Sequence, residues 1–191
     1  MKKKIIITGG LGYIGTELCK IYSGVSWHHK ITVIDNRFIS ERVNQIRNWN
    51  MEFVHGDILD KELIKKYCEG ADVVHHLAGI TNVPRTKSEA NSSTDDKIKE
   101  VGEKGTQNIL DVISNKCKII FPSTHVVYEG INEVKTDIKE NEITKPVLSY
   151  SSSKALNENQ LKKSGKNYII LRLGSVYGYS TDSMRIDIMP N

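Results

Sequence analysis

The sequence predicts an α/β chain folded as a doubly wound parallel sheet with strand order 3-2-1-4-5-6. Short apolar runs rich in β-branched residues alternate with stretches of helical period along the whole chain, with neither an internal repeat nor a linker. The first run, Ile5 to Ile7, is stopped by a turn in which Gly9, Gly12 and Gly15 recur every third residue, and a helical pattern follows at once. Right-handed crossovers between successive parallel strands then set the order. A ligand crevice is expected where that order reverses, between strands 1 and 4.

Composition fits this reading. At 191 residues the chain suits one domain whose core needs no staples. Hydrophobic content of 38% and charged content of 26% match a soluble globular protein, which speaks against disorder and against a membrane span. The net charge of +4 comes partly from Lys2, Lys3 and Lys4, and the other basic residues are scattered among Asp and Glu. No aromatic-basic patch stands out, so no nucleic-acid partner is expected. The apolar run behind those lysines ends at Thr8, too soon for a secretory signal, which predicts a cytoplasmic protein. Cys19, Cys68 and Cys117 are odd in number and far apart, and read as reduced, buried thiols.

The elements can be placed in chain order. Ile14, Leu18, Ile21 and Tyr22 have helical spacing over 13–23, and Ser23-Gly24 ends that helix. Ile31 to Ile34 form the second strand, closed by Asp35; residues 41–49 form a short helix and Met51 to Val54 the third strand. Asp57 comes after that strand, where it could cap the helix starting near Asp60 or face a ligand, and spacing leaves both readings open. Asp72 to Leu77 form the fourth strand, ending in the small pair Ala78-Gly79 that lets a backbone pass close to a bound molecule. His75 and His76 are adjacent, so they point to opposite faces and read as packing residues; no metal site is expected. The polar run Thr86 to Lys99 opens a helical region reaching Ile113, its first part loop-like. Lys118 to Phe121 make the fifth strand, residues 149–163 a helix, and Tyr168 to Leu173 the sixth strand.

Several of these residues can do chemistry. Glycines at this spacing give a tight turn, a close approach to a pyrophosphate, and tight packing of helix on strand. The unpaired N–H groups at the helix start then face the phosphates. Asp35 lies twenty positions beyond Gly15 at a strand's carboxyl end, placed to accept hydrogen bonds from the adenosine ribose; its charge repels a 2′-phosphate and favours NAD over NADP, although Arg37 lies close by. Tyr150 and Lys154 form Y-x-x-x-K, one helical turn apart on one face. A phenol with its ordinary pKa of about 10 is a poor base at neutral pH, and a neighbouring ammonium favours the phenolate. Thr124, at the mouth of strand five, can orient a substrate oxygen beside that phenol.

Taken together, Thr8 to Gly15, Asp35, Gly56-Asp57-Ile58, His76 to Gly79, Gly105 to Asn108, Ser123-Thr124 with Val127-Tyr128, Tyr150 to Lys154, Leu171 to Leu173 and Val176 to Gly178 stand in the order of a known family. The chain resembles the extended short-chain dehydrogenase/reductases, in their NAD-dependent epimerase/dehydratase branch acting on nucleotide sugars, and a Rossmann fold is thereby implied. The resemblance implies that Tyr150 is the catalytic acid or base, that Lys154 holds the nicotinamide ribose and lowers the Tyr150 pKa, and that Thr124 aligns the sugar oxygen. It implies a cofactor-binding set of Gly9, Gly12, Tyr13, Ile14, Gly15, Asp35, Asn36, Asp57, Ile58, Leu77, Ala78 and Gly79, joined by Tyr150 and Lys154. It also implies a homodimer through helices that include residues 101–113 and 150–163.

Members that eliminate water or decarboxylate often carry acidic residues directly after the Ser/Thr. Here those places hold His125 and Val126, which favours an epimerase or simple oxidoreductase over a dehydratase. Gly102 stands where the family often has Asn, Ser175 replaces the usual Asn, and Tyr179 the usual Pro. Residues 1–174 are expected to form the NAD-binding domain with its Thr/Tyr/Lys set, and 175–191 the start of a substrate lobe that is truncated or missing. A catalytically silent NAD-binding regulator or scaffold is the alternative reading.

Overall fold

The computed structural model describes residues 1–81 and 92–180. Residues 82–91 and 181–191, which include the expected loop-like start of the fourth helical region and most of the expected second lobe, lie outside the described residues. The elements run β1 Lys4–Thr8, α1 Tyr13–Ser23, β2 Lys30–Asp35, α2 Ser40–Asn48, β3 Glu52–His55, α3 Lys61–Cys68, β4 Val73–His76, α4 Ser92–Val112, β5 Lys118–Thr124, α5 Ser149–Lys163 and β6 Asn167–Leu173. Short 3₁₀ turns at Ser26–His28 and His125–Tyr128 complete them.

All six strands are parallel in the order β3-β2-β1-β4-β5-β6, as the sequence predicts. β1 sits in the middle because Ile5, Ile6 and Ile7 can all be buried, two on one face and one on the other. Ile6 packs with Val74, Ile119 and Phe121 under α3, α4 and α5. Ile5 and Ile7 pack with Val33 under α1 and α2, through Cys19, Val43 and Ile46.

The expectation that helices cover both faces holds for β1 to β4 but not for the second face of β5 and β6. There Ile169 and Leu171 pair with Ile120 and Pro122 across the strands and remain 39% and 43% exposed. The reason is topological: α4 and α5 lie on one face, and no described helix comes after β6 to cover the other.

Two further details depart from the expected bounds. β5 runs past Pro122 to Thr124, because beyond Ile120 it pairs only with β6 and a proline there interrupts no ladder on the β4 side. Asp60, not Asp57, caps α3, its Oδ1 accepting the Leu63 amide at 3.0 Å. The three cysteines are free and buried, and burial raises the Cys19 and Cys68 thiols to about 12, so they are inert packing groups.

Candidate active site

The crevice opens where β1 and β4 part. Gly9 has φ +71°, and a Cβ there would lie 2.6 Å from the Ala78 amide nitrogen, so the glycine turn and the end of β4 touch backbone to backbone. A Cβ on Gly15 would lie 2.4 Å from the Gly9 carbonyl, so any side chain would push α1 off the turn. α1 itself starts on Gly12 with no side-chain cap and no acidic residue in its first turn. That leaves the positive end of the helix facing the crevice, as an anionic pyrophosphate requires.

Asp35 is 5% exposed and holds the turn in place: Oδ2 accepts the Leu11 amide at 2.9 Å, while Oδ1 accepts the Arg37 amide at 3.0 Å. The Arg37 guanidinium folds back on the same carboxylate at 3.3 Å. Asn36 Nδ2 donates to Asp57 Oδ2 at 3.0 Å, and Asp57 Oδ1 accepts the Leu59 amide at 2.9 Å, so these two residues line the rim as one unit. Ile58 is different. Its side chain is buried beneath α4, where a Cβ on Gly105 would strike it at 2.3 Å, and its carbonyl accepts Asn108 Nδ2 at 3.0 Å. Ile14 lies partly exposed on α1, and Leu77 packs into the core under α1 and α2. Tyr13 reaches the other way, its hydroxyl donating to the Gly178 carbonyl.

At the far wall, Tyr150 and Lys154 lie on α5 and line a cavity of about 20 Å³ together with Ala78, Gly79, Thr106 and Asn157. The structure thus brings the expected pair to the expected place beside β4. Lys154 Nζ donates to the Pro122 carbonyl at 2.9 Å and sits 4.5 Å from the centre of the Phe121 ring and 6.0 Å from that of Tyr150. Burial lowers its pKa to about 8, leaving it mainly a cation at neutral pH. Thr124 ends β5 at 7% exposure, and its Oγ1 accepts the Val126 amide at 3.3 Å. His125 hydrogen-bonds through Nδ1 with the Leu173 carbonyl at 3.2 Å.

Three further groups support the site, and two of them, Glu158 and Glu129, have no obvious mark in the sequence. Glu158, 1% exposed, accepts Ser123 Oγ at 2.6 Å and the Arg172 guanidinium at 2.9 and 2.6 Å, tying α5 to β5 and β6. Burial alone would raise its carboxyl, but Arg172 and Ser123 outweigh burial and hold it below its ordinary value. Its spacing of four residues from Lys162, which it meets at 3.3 Å, reads as a surface pair and gives no sign of the buried partners. Glu129 accepts the Val147 and Leu148 amides at 2.7 Å and the Ser151 hydroxyl, fixing the start of α5 ahead of Tyr150. Gly102 lets α4 meet α5: its carbonyl accepts Asn157 Nδ2 at 2.9 Å, and a Cβ there would lie 2.2 Å from Ser153 Oγ.

His75 and His76 face opposite sides of the sheet, as predicted: His75 meets Tyr22 on α1 at 2.8 Å, while His76 bonds Thr8 and Thr106. Among the described residues no group of acidic, His or Cys side chains could hold a metal ion. Burial, and then the Lys154 charge, lowers the His76 pKa to about 3. The unfolded chain takes up the proton near pH 6.5 and the folded chain does not, so the stability this gives is complete above pH 6.5 and is lost on acidification. Urea melts are expected to show stability falling by up to about 1.4 kcal/mol per pH unit below pH 6.5. A flat profile between pH 7 and 5 would contradict a buried neutral imidazole.

The profile of the NAD dependent epimerase/dehydratase family matches residues 5–189. The chain therefore belongs to that family. The dTDP-D-glucose 4,6-dehydratase of Dictyostelium discoideum is 30% identical over 92% of this chain and 44% of its own length. A putative UDP-glucose 4-epimerase of Methanocaldococcus jannaschii is 32% identical over 93% of this chain and 57% of its own. Among solved structures, UDP-glucose 4-epimerase from Brucella ovis in complex with NAD superposes with a TM-score of 0.73 at 26% identity, covering 93% of this chain and 54% of that one. The chain spans about half the length of the relatives it matches.

Proposed function

We propose that the protein binds NAD and acts as a nucleotide-sugar epimerase, or a related oxidoreductase, through a transient keto sugar. The observation that carries this is the convergence of Tyr150 and Lys154 on one cavity with Gly79 and Ala78, the residue against which Gly9 of the glycine turn is packed. The glycine turn and the start of α1 fit the pyrophosphate, the Asp35 carboxylate fits the adenosine ribose, and Lys154 fits the nicotinamide ribose. NAD, when bound, supplies a site that accepts and returns hydride. Tyr150 takes the proton of the sugar hydroxyl as that carbon is oxidised and gives it back when the keto group is reduced from its other face. Thr124 holds the sugar oxygen beside the phenol.

The residues directly after Thr124 favour epimerase chemistry over elimination of water. The first carboxylate beyond it, Glu129, is committed to the Val147 and Leu148 amides and Ser151, and is not free to act as an additional acid or base. Residues 175–191 would begin the substrate half of the protein. No described helix is long and apolar enough to cross a membrane, and a cytoplasmic site of action suits a nucleotide-sugar substrate. The proposed homodimer uses the outward faces of α4 and α5, which present polar pairs such as Glu100–Lys104 and Gln107–Asp111. A monomeric mass by light scattering at micromolar concentration would overturn that arrangement.

Titration calorimetry tests the cofactor. NAD is expected to bind at least about tenfold more tightly than NADP, because a buried carboxylate repels a 2′-phosphate, and Asp35→Ala should erase most of that margin. Equal affinity for the two dinucleotides, or no binding of either, would defeat the reading.

A further inference from the structure

His76 occupies a position that the proposed reaction does not use. It is 1% exposed, and each ring nitrogen has one partner: Nδ1 lies 2.9 Å from Thr8 Oγ1, and Nε2 lies 3.0 Å from Thr106 Oγ1. Both threonines are fully buried. Thr8 is the last residue of β1, directly before Gly9, and its Oγ1 also accepts the Ala78 amide at 3.3 Å. Thr106 lies on α4 and lines the cavity shared by Tyr150 and Lys154.

We propose that His76 is a positioning residue, a neutral two-ended strut that sets the distance between the dinucleotide side of the crevice and the Tyr150–Lys154 side. Hydrogen-bond accounting assigns its tautomer. Thr8 Oγ1 already accepts from Ala78, and its one proton has no described acceptor except His76 Nδ1, so Nδ1 is the acceptor and the imidazole proton is on Nε2. Nε2–H then donates to Thr106 Oγ1. The Thr106 proton is left facing the small cavity, which has room for one water, whereas the opposite tautomer would strand the Thr8 proton in a fully enclosed site. The Nδ1 end thereby secures the contact of Gly9 with Ala78, where no Cβ fits, and the Nε2 end ties α4 to β4 beside the cavity. The strut must stay neutral because a second cation would face the Lys154 ammonium across the Phe121 ring, which lies 5.7 Å from the imidazole and 4.5 Å from Nζ.

The inference rests on the functional reading only for its cofactor readout, and the test separates the two. An Asn side chain places its amide where the imidazole Nδ1 lies, and a Gln side chain places it where Nε2 lies. His76→Asn should therefore keep the Thr8 end and hold the NAD dissociation constant within about twofold of the unaltered protein. His76→Gln should keep only the Thr106 end and weaken NAD binding by about tenfold, the effect of one buried hydrogen bond. Nitrogen-15 NMR of the unaltered protein without cofactor should show the Nε2–H tautomer and no imidazolium at pH 6. Equal weakening in the two variants, the reverse order, an Nδ1–H tautomer or a titrating ring would each overturn the strut. If the unaltered protein does not bind NAD, the functional reading falls, and the tautomer measurement still decides the role of His76.

Discussion

Tyr150→Phe is expected to cut turnover of a nucleotide sugar, the proposed activity, by about 10²–10⁴-fold, the usual contribution of a positioned acid or base. NAD affinity should stay within about threefold, since the glycine turn, Asp35 and Lys154 are untouched and a threefold change is under 1 kcal/mol. The start of α5 is fixed by Glu129 through the Val147 and Leu148 amides, and Lys154 is fixed by the Pro122 carbonyl and the Phe121 ring, so neither depends on the phenol oxygen. A phenylalanine ring keeps the aromatic neighbour that Lys154 Nζ has 6.0 Å away and lacks the hydroxyl proposed to exchange the proton. Steady-state kcat beside calorimetric NAD binding separates the effects. A kcat within threefold of the unaltered protein would remove Tyr150 from the chemistry, and a parallel loss of NAD binding would mean that it acts through the cofactor site instead.

How far the sequence revealed this arrangement depended on how local each signal was. The sheet order was legible because each strand is a short β-branched run succeeded by a helical period, and the glycine turn with Asp35 marks the dinucleotide-binding order among those that right-handed crossovers allow. The glycine turn, Asp35, Tyr150 and Lys154 were legible because each sits at a fixed spacing within a single strand–helix unit. Ile58 was harder, because its place just after the third strand suggests the crevice, whereas its side chain packs against Gly105 and its carbonyl accepts Asn108, both on α4. Asp57 and Asp60 both suit a helix start, and the Leu63 amide selects Asp60. Glu158 was hidden because a carboxylate on a helix reads as solvated surface. Its partner Arg172 comes from β6 and Ser123 from β5, and only the parallel pairing of those strands brings them under α5. The exposed second face of β6 was also not foreseeable, because alternation of strands and helices says which elements exist and not whether every face acquires a cover.

That hidden network carries the largest expected effect on stability. Arg172→Ala should destabilise the fold by about 3–5 kcal/mol, the range for breaking a buried ion pair by removing one partner. Against a typical total of about 5–15 kcal/mol, the variant would be marginal. The cost arises from Glu158, which would remain buried with Ser123 and with Lys162 at 3.3 Å; Lys162 is 45% exposed and compensates little. The Tyr128 hydroxyl and the Glu140 carbonyl also lose the guanidinium that holds the segment between β5 and α5. The pH dependence supplies a sign that a general packing defect would not. In the unaltered protein the Glu158 carboxyl is held below its ordinary value, so its stability contribution is present above about pH 4.5 and is lost as pH falls. Without Arg172, burial dominates and raises that carboxyl, so the cost of the substitution relative to the unaltered protein should shrink as pH falls from 7 towards 5, where protonation relieves the buried charge. Glu158→Leu combined with Arg172→Met should regain much of the loss at pH 7, because an apolar pair leaves no charge unpaired. Denaturant melts of the three proteins at pH 7 and pH 5 measure all of this. A cost under about 1 kcal/mol for Arg172→Ala, or the same cost at both pH values, would show that the pair does not hold α5 to the sheet as its geometry implies.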